Sequence, residues 1–471
     1  MSIFYKKNSY VIEQHNITLL FSFLSLGLFL FLFFDYSIFF FIDKISILAS
    51  YVLFYFFFFI ERKYKNIFLE VLNIFFLFFF IFRASTIEYF NLYNFSFIKE
   101  YKLISIDFYK YILILNLQFF LLATSILLIR PKFKSFSYII KNEFFFKIAI
   151  YFLIFFLFFL TVYYKIYPVF HEHDNLRILK IFFYIFNFDK IMIISIFLLF
   201  YSKLQLIKKY KYILIFIIFF SIIMPLLLSG TKSSLLEFVL YFFLFFQFKK
   251  KNYNLKYINY LLIFFILSLI LFSFAKIIKT YYLNIQLNIS DGDLVRIYNS
   301  INYYSYITAY IYRISFFDYF FLFVQDPAYE NVINFKYILR ALADRLTPFY
   351  DFFNVPLLSR AVYDLKSGVN PLVNSSMQIT LFAEGYVLLK NYAFFFYLLI
   401  ILIFYIILLF FKKIKIKSFE NIIINFFILK NFFYCLVGYG FDTFIMNLAY
   451  DLTFLFIAFF IMRLLKNINF K

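Results

Sequence analysis

Apolar stretches long enough, or nearly so, to cross about 30 Å of hydrocarbon at 1.5 Å per residue recur along the whole chain. They lie near residues 17–34, 45–60, 67–82, 111–129, 148–164, 191–202, 212–228, 233–248, 258–275, 393–411, 422–440 and 443–462. The pattern predicts an all-α fold, a polytopic transmembrane helical bundle of about twelve spans. A soluble alternative fails on composition. The chain is 65% hydrophobic and 15% charged, with a mean hydropathy of +0.88, too few charges to cover the surface of a water-soluble domain of 471 residues. The first span is not read as a cleavable signal, because no small-residue cleavage site follows it and Phe-rich sequence continues beyond.

Much of the remaining composition is background. Phe (86) and Tyr (44) abound, Trp is absent, and Lys far outnumbers Arg, the pattern of an AT-rich genome. Each Arg, Gly and Pro therefore carries more information than each Phe. The formal charge of +21 does not indicate nucleic acid, because the basic residues sit in short runs between apolar spans and form no continuous solvated surface. The single cysteine, Cys435, excludes a disulfide framework and a Cys-based metal site.

Twelve spans divide the basic residues between two sides. Every segment on the amino-terminal side is a short basic loop or tail, which predicts that both termini are cytoplasmic. One segment of the opposite side stands apart. Residues 277–392, between the ninth and tenth spans, are too long for a connector and hold half of the chain's Gly and Pro. The chain is accordingly a single integral membrane domain, 1–471, carrying within it a large partly helical periplasmic loop or cap, 277–392. Residues 294–313 and 330–346 are expected as helices, the second closed by Thr347-Pro348. The stretch 314–324 is apolar but too short to span, as an interfacial or re-entrant segment would be.

The same segment concentrates arginine: Arg296, Arg313, Arg340, Arg345 and Arg360 stand against only four lysines. Arginine's rigid fork grips phosphate or carboxylate bidentately where lysine cannot. These five are candidate ligands for an anion. The blander reading is that they pair with carboxylates of the loop, and Arg340 and Asp344, at i and i+4, suit it.

A polar turn, Ser229-Gly230-Thr231-Lys232-Ser233-Ser234, opens the eighth span. Its hydroxyls, free backbone N–H groups, helix dipole and Lys232 could hold a small anion at the membrane surface, although a plain reverse turn would need only the Gly and a polar residue. Glu237 lies one turn on from Lys232 and is its candidate partner or part of the same site. Lys430 and Asp451 fall inside spans eleven and twelve, where ionisable groups are costly; a structural ion pair between them is the plainer reading. Glu384, just before the tenth span, is either a solvated carboxylate or a general base close to the membrane. Several loop acids compete for that role: Asp291, Asp293, Asp318, Asp344, Asp351 and Asp364. His171-Glu172-His173-Asp174 lacks further spaced ligands, so no metal site is assigned, and His15 lies in the amino-terminal tail. No P-loop, dinucleotide fingerprint or nucleophile elbow occurs, so no nucleotide or other cofactor is expected.

Two stretches carry a family resemblance. SGTKSSLLEFVLYFFLF at 229–245 resembles the Gly-Ser-Arg-Ser-type turn opening a span, and ITLFAEGYVLLKNYAFFFYLLIIL at 379–402 resembles the Glu-Tyr-Asn-Phe-Gly-type start of the span after a long loop. Both are features of bacterial O-antigen polymerases, the Wzy-type oligosaccharide repeat unit polymerases. The chain departs from the family at Lys232, where Arg is usual, and at Lys390-Asn391-Tyr392-Ala393, which replaces the expected Phe-Gly.

The resemblance implies a glycosyltransferase of the bacterial inner membrane that joins polyprenyl-pyrophosphate-linked oligosaccharide units into a surface polysaccharide such as O-antigen or capsule. It also implies a lipid environment and, as candidate partners, a chain-length regulator and a flippase. On this reading Glu384, Arg296 and Arg345 are catalytic. Lys232, Arg313, Arg340, Arg360, Ser229, Gly230, Thr231 and Tyr386 bind the pyrophosphate or glycan. Two alternatives stay open: a lipid-linked oligosaccharide flippase, which typically shows internal repeats and Gly/Pro-broken helices, and an O-antigen ligase-like transferase, which resembles this layout but carries a histidine in the long loop.

Overall fold

The structure is a computed structural model. It describes residues 11–12, 22–24, 26–27, 41–89, 108–131, 143–166, 185–201, 204–229, 241, 253–254, 316–325, 327–346, 353, 355–356, 358, 361–362, 379–413, 418–437 and 440–468. The first, eighth and ninth apolar stretches fall largely outside this set, as do residues 294–313.

The described residues are helical apart from one two-residue antiparallel pairing, Val11–Ile12 with Tyr253–Asn254. In chain order the helices are α1 (Phe41–Tyr64), α2 (Ile67–Phe76), α3 (Phe82–Tyr89), α4 (Phe108–Ile129), α5 (Glu143–Ile166), α6 (Phe188–Tyr201) and α7 (Leu204–Ser229). Then follow α8 (Phe316–Gln325), α9 (Phe335–Leu346), α10 (Leu381–Leu389), α11 (Ala393–Lys413), α12 (Ser418–Val437) and α13 (Phe441–Ile468). A single π turn, Leu77–Ile81, joins α2 to α3 without breaking the rod.

Five segments among the described residues are long and apolar enough to cross a membrane: Lys44–Tyr64, Ile67–Ser85, Phe108–Ile129, Leu381–Lys412 and Phe441–Phe460. They coincide with the second, third, fourth, tenth and twelfth apolar stretches. The fifth, sixth, seventh and eleventh stretches are also helical, as α5, α6, α7 and α12. The protein is thus an all-helical chain with the makings of a multi-pass membrane protein. Its exterior agrees: Phe155 and Phe158 on α5 are 62% and 69% exposed, and Phe456 and Phe460 on α13 are 69% and 59% exposed. Such faces are tolerable against lipid tails and unfavourable in water.

Two groups of helices share one continuous apolar interior. In the first, α1, α2 and α11 pack around α4, and α12 closes on α2. Phe76 of α2 stacks on Phe119 of α4 with ring centroids 3.8 Å apart, and Phe68 meets Phe404 and Phe432. In the second, α5, α6 and α7 pack pairwise. Phe186, just before α6, links this group to α13 through Phe454. At the other end of α5, exposed Glu143 holds Lys209 of α7 at 3.0 Å and Lys147 at 3.4 Å. Hydrogen bonds from these two lysines hold its carboxyl below the ordinary carboxylate range.

Within 277–392, the apolar stretch at 314–324 forms the ten-residue helix α8, which packs on α10 and buries Phe320, Phe321, Leu322 and Phe323. A 3-10 turn, Pro327–Asn331, follows. The expected 330–346 helix begins later, at Phe335, where the side chain of Asn334 accepts the N–H of Tyr337. An asparagine oxygen satisfying a free first-turn donor is a strong local start signal, and it outweighs the helical periodicity that extends upstream.

Candidate functional site

The tenth apolar stretch, 393–411, is one helix, α11, but it is not continuous with the helix before it. Thr380 caps α10, its hydroxyl oxygen accepting the N–H of Ala383 at 3.2 Å. After Leu389 the backbone takes φ +51° at Lys390, and a 3-10 turn over Lys390–Tyr392 leads into α11. A Cβ on Gly385 would lie 2.5 Å from the Tyr397 hydroxyl. Twelve residues of continuous helix would separate these positions by about 18 Å along the axis. The chain therefore folds back on itself, with the exposed Lys390–Tyr392 turn at the apex and glycine at 385 permitting the close approach. α11 alone, with 21 residues, still suffices to cross a bilayer.

This fold-back sets the position of Glu384. The sequence places it at a surface before a span; the structure buries it to 1% exposure on α10, beneath α8. The capping geometry releases its side chain, because the position reciprocal to Thr380 is Ala383 and not Glu384. The carboxylate instead reaches α13 and accepts the N–H of Phe441 at 3.0 Å. Phe441 is the first residue of that helix, where donors lack intrahelical partners and the dipole favours an anion. Among the described residues no lysine or arginine pairs with Glu384.

The surroundings are polar for so apolar an interior. Tyr397 donates its hydroxyl to Gln118 Oε1 of α4 at 2.6 Å. Gln118 Nε2 and both amide atoms of Asn73 are buried without a hydrogen-bond partner among the described residues. Beside Phe441, Asp442 is fully buried; its Oδ2 accepts the N–H of Leu358 at 2.6 Å and its Oδ1 that of Thr443 at 2.6 Å.

Leu358 belongs to a strip of the 277–392 segment held from below. Asp344 of α9 accepts the N–H groups of Phe353 at 2.8 Å and Val355 at 2.9 Å. Tyr337 donates its hydroxyl to the carbonyl of Pro356 at 2.8 Å. α9 itself packs on α13. Asp344 thus serves the backbone of this strip, and the exposed Arg340 guanidinium lies over the Phe353 ring at 5.4 Å. Half-buried Tyr386 has the Lys390 ammonium 4.8 Å from its ring centre, and Lys390 also pairs with Glu330 of the 3-10 turn.

A second buried polar cluster sits apart from this one. Lys430 and Asp451 meet at 2.9 Å, as their placement inside adjacent spans predicts. The cluster is larger than that pair. Lys190 of α6 reaches the other Asp451 oxygen at 3.2 Å, Asn431 donates to Asp451 at 2.8 Å, and Asp189 lies 3.8 Å from Lys430. Tyr241 donates to Asp189 at 3.0 Å and hydrogen-bonds Tyr434. Among the described residues two lysines and two aspartates balance, so each of these charges faces an opposite one.

Of the residues singled out from the sequence, Glu384 and Tyr386 lie on α10, and Arg340 lies on α9 against Phe353 of the strip. Arg345 is on α9 and Ser229 ends α7, but their side chains are outside the described set; so are Arg296, Arg313, Arg360, Gly230, Thr231, Lys232, Glu237 and the His171–Asp174 run. Asp442, Gln118, Tyr397, Asp189, Lys190 and Tyr241 were not singled out. A signal existed for two places: an acid one residue into a span after Gly440, and a lysine in the first turn of α6, where the helix dipole disfavours a cation and so demands a partner. Among the described residues no group of three or more His, Cys, Asp or Glu could hold a metal ion. No family model, curated protein or solved structure matches the chain.

Proposed function

We propose that this protein polymerises polyprenyl-pyrophosphate-linked oligosaccharide units into a surface polysaccharide, by glycosyl transfer at the periplasmic face of a bacterial inner membrane. The proposal includes about twelve spans with both termini in the cytoplasm, and 277–392 as a periplasmic cap. One observation carries it: Glu384 is a buried carboxylate that accepts a backbone N–H and has no cationic partner among the described residues. The contrast with Asp451 is instructive, because Asp451 is neutralised by two lysines and is thereby committed to holding helices together.

A carboxylate left without a counter-charge at the base of a docked cap is suited to receive the proton of an acceptor sugar hydroxyl as that oxygen attacks the anomeric carbon. The bond from that carbon to the lipid pyrophosphate then breaks. Cations must meet the charge growing on the departing pyrophosphate, and the candidates are Arg296, Arg313, Arg340, Arg345, Arg360 and Lys232. The substrate is already activated by its pyrophosphate, which agrees with the absence of nucleotide motifs from the sequence. The two stretches resembling O-antigen polymerases give the reaction class its direction.

The test is the surface glycan itself. Deleting the gene should leave glycan bearing single repeat units, and Glu384→Gln should reproduce that phenotype at normal protein level. Repeat units trapped on the cytoplasmic leaflet after deletion would instead establish a flippase.

A further inference from the structure

The Asp442 carboxylate has a place in this architecture that the reaction scheme does not yet use. Its side chain is fully buried on the first turn of α13, and its two oxygens accept from different segments of the chain. Oδ1 accepts the Thr443 N–H of its own helix and Oδ2 accepts the Leu358 N–H at 2.6 Å. Leu358 is also fully buried, and it precedes Arg360 by two residues in the sequence. On the neighbouring residue of α13, Phe441, the N–H points to Glu384. Adjacent backbone positions of one helix start therefore hold the candidate base and the arginine-bearing strip.

The local backbone is built for this contact. Gly440 has φ +78°, a conformation that L side chains rarely adopt, and its carbonyl accepts the first intrahelical hydrogen bond of α13, from Phe444 at 2.9 Å. A Cβ there would lie 3.0 Å from Asp442 Oδ1 and 3.7 Å from the Leu358 Cβ. The strip is otherwise fastened to α9 through Asp344 and Tyr337, so among the described hydrogen bonds the Asp442 to Leu358 contact is the one that ties the strip to a span.

We infer that Asp442 is a positioning residue: it clamps the 353–358 strip onto the start of α13 and so fixes the register between that strip and Glu384. The inference rests on the polymerase reading for its functional consequence and on geometry alone for the clamp. Displacing a binding group by about 1 Å can cost on the order of 100-fold in rate, which is the scale of effect expected from losing such a clamp.

In cells carrying the full chain, Asp442→Ala should reduce the glycan ladder on a gel roughly 10- to 100-fold at unchanged protein level. Asp442→Asn, which keeps one acceptor oxygen for the Leu358 N–H, should lose less. Hydrogen exchange of the purified full chain in detergent reads the clamp directly. The Leu358 amide should be protected in the wild-type and Asp442→Asn chains and exchange faster in Asp442→Ala, while the Phe353 and Val355 amides held by Asp344 keep their protection. A merely structural loss would expose all three amides together.

An unchanged Leu358 exchange rate in Asp442→Ala would overturn the clamp. Loss of Leu358 protection with the ladder intact would overturn the positioning role, provided Glu384→Gln still abolishes the ladder. If Glu384→Gln leaves the ladder intact, the polymerase reading falls, and the Leu358 exchange rate still decides the clamp on its own.

Discussion

Glu384 on α10 accepts the backbone N–H of Phe441 at the start of α13, 57 residues further along the chain. One side chain thus supplies a helix cap and brings a carboxylate into the interior. The two roles separate by mutation. Glu384→Ala leaves the Phe441 N–H buried and unpaired, which should lower stability by about 1–3 kcal/mol. Glu384→Gln keeps an acceptor oxygen and should unfold in detergent close to the wild-type temperature while losing transfer activity by about 100-fold or more. Thermal unfolding of the two purified variants checks the first statement, and equal losses of stability would remove the capping role.

Gly385 permits the fold-back of α10 on α11. A methyl group there would press on the Tyr397 ring, with contacts of 2.5 to 2.7 Å to three of its atoms. Tyr397 is fully buried and donates to Gln118, so it cannot swing aside freely. Gly385→Ala should destabilise by about 1–3 kcal/mol, the usual cost of overpacking. Tyr397→Leu should recover part of that loss in the double variant, measured as non-additivity of the two melting temperatures.

Asp451 neutralises two lysines at once. Asp451→Asn should cost about 3–5 kcal/mol, because both buried cations then lose the carboxylate they share. Adding Lys430→Met removes the surplus charge and leaves Asp189 with Lys190. The double variant should therefore be more stable than Asp451→Asn alone. A double-mutant cycle on detergent-solubilised protein reads the coupling, and additive effects would show that the cluster is not a charge-balanced unit.

Lys390 adopts φ +51° and ψ −118° at the apex of the fold-back, a sparsely populated conformation that costs an L residue about 1–3 kcal/mol. Its pairing with Glu330 is half exposed and worth about 0–1 kcal/mol. Relief of strain outweighs loss of the pair, so Lys390→Gly should raise the unfolding temperature or leave it unchanged. A clear fall would assign a larger value to the ion pair or to the Lys390 contact with Tyr386.

The sequence by itself determined the all-helical, membrane-compatible character of the chain, because crossing hydrocarbon requires long apolar runs that composition cannot hide. The apolar stretches coincide with described helices wherever both can be compared, and the burial of Lys430 beside Asp451 follows from the cost of a lone charge among lipid-facing helices. Short-range capping chemistry at Thr380 and Asn334 was equally local, although periodicity alone misplaced the start of α9.

Only the tertiary structure decided how distant pieces meet. A run such as 381–412 has the hydropathy of one span, and nothing in its periodicity reveals that the chain turns back at Lys390; that depends on a glycine facing a tyrosine across the turn. The partners of Glu384, Asp442 and Asp451 come from residues as far as 261 positions away, as with Lys190 and Asp451. A buried carboxylate finds whichever donor the packing of apolar faces brings near it. Hydrophobic burial sets which helices touch without regard to sequence separation, and so it decides which polar groups inside the bundle become partners.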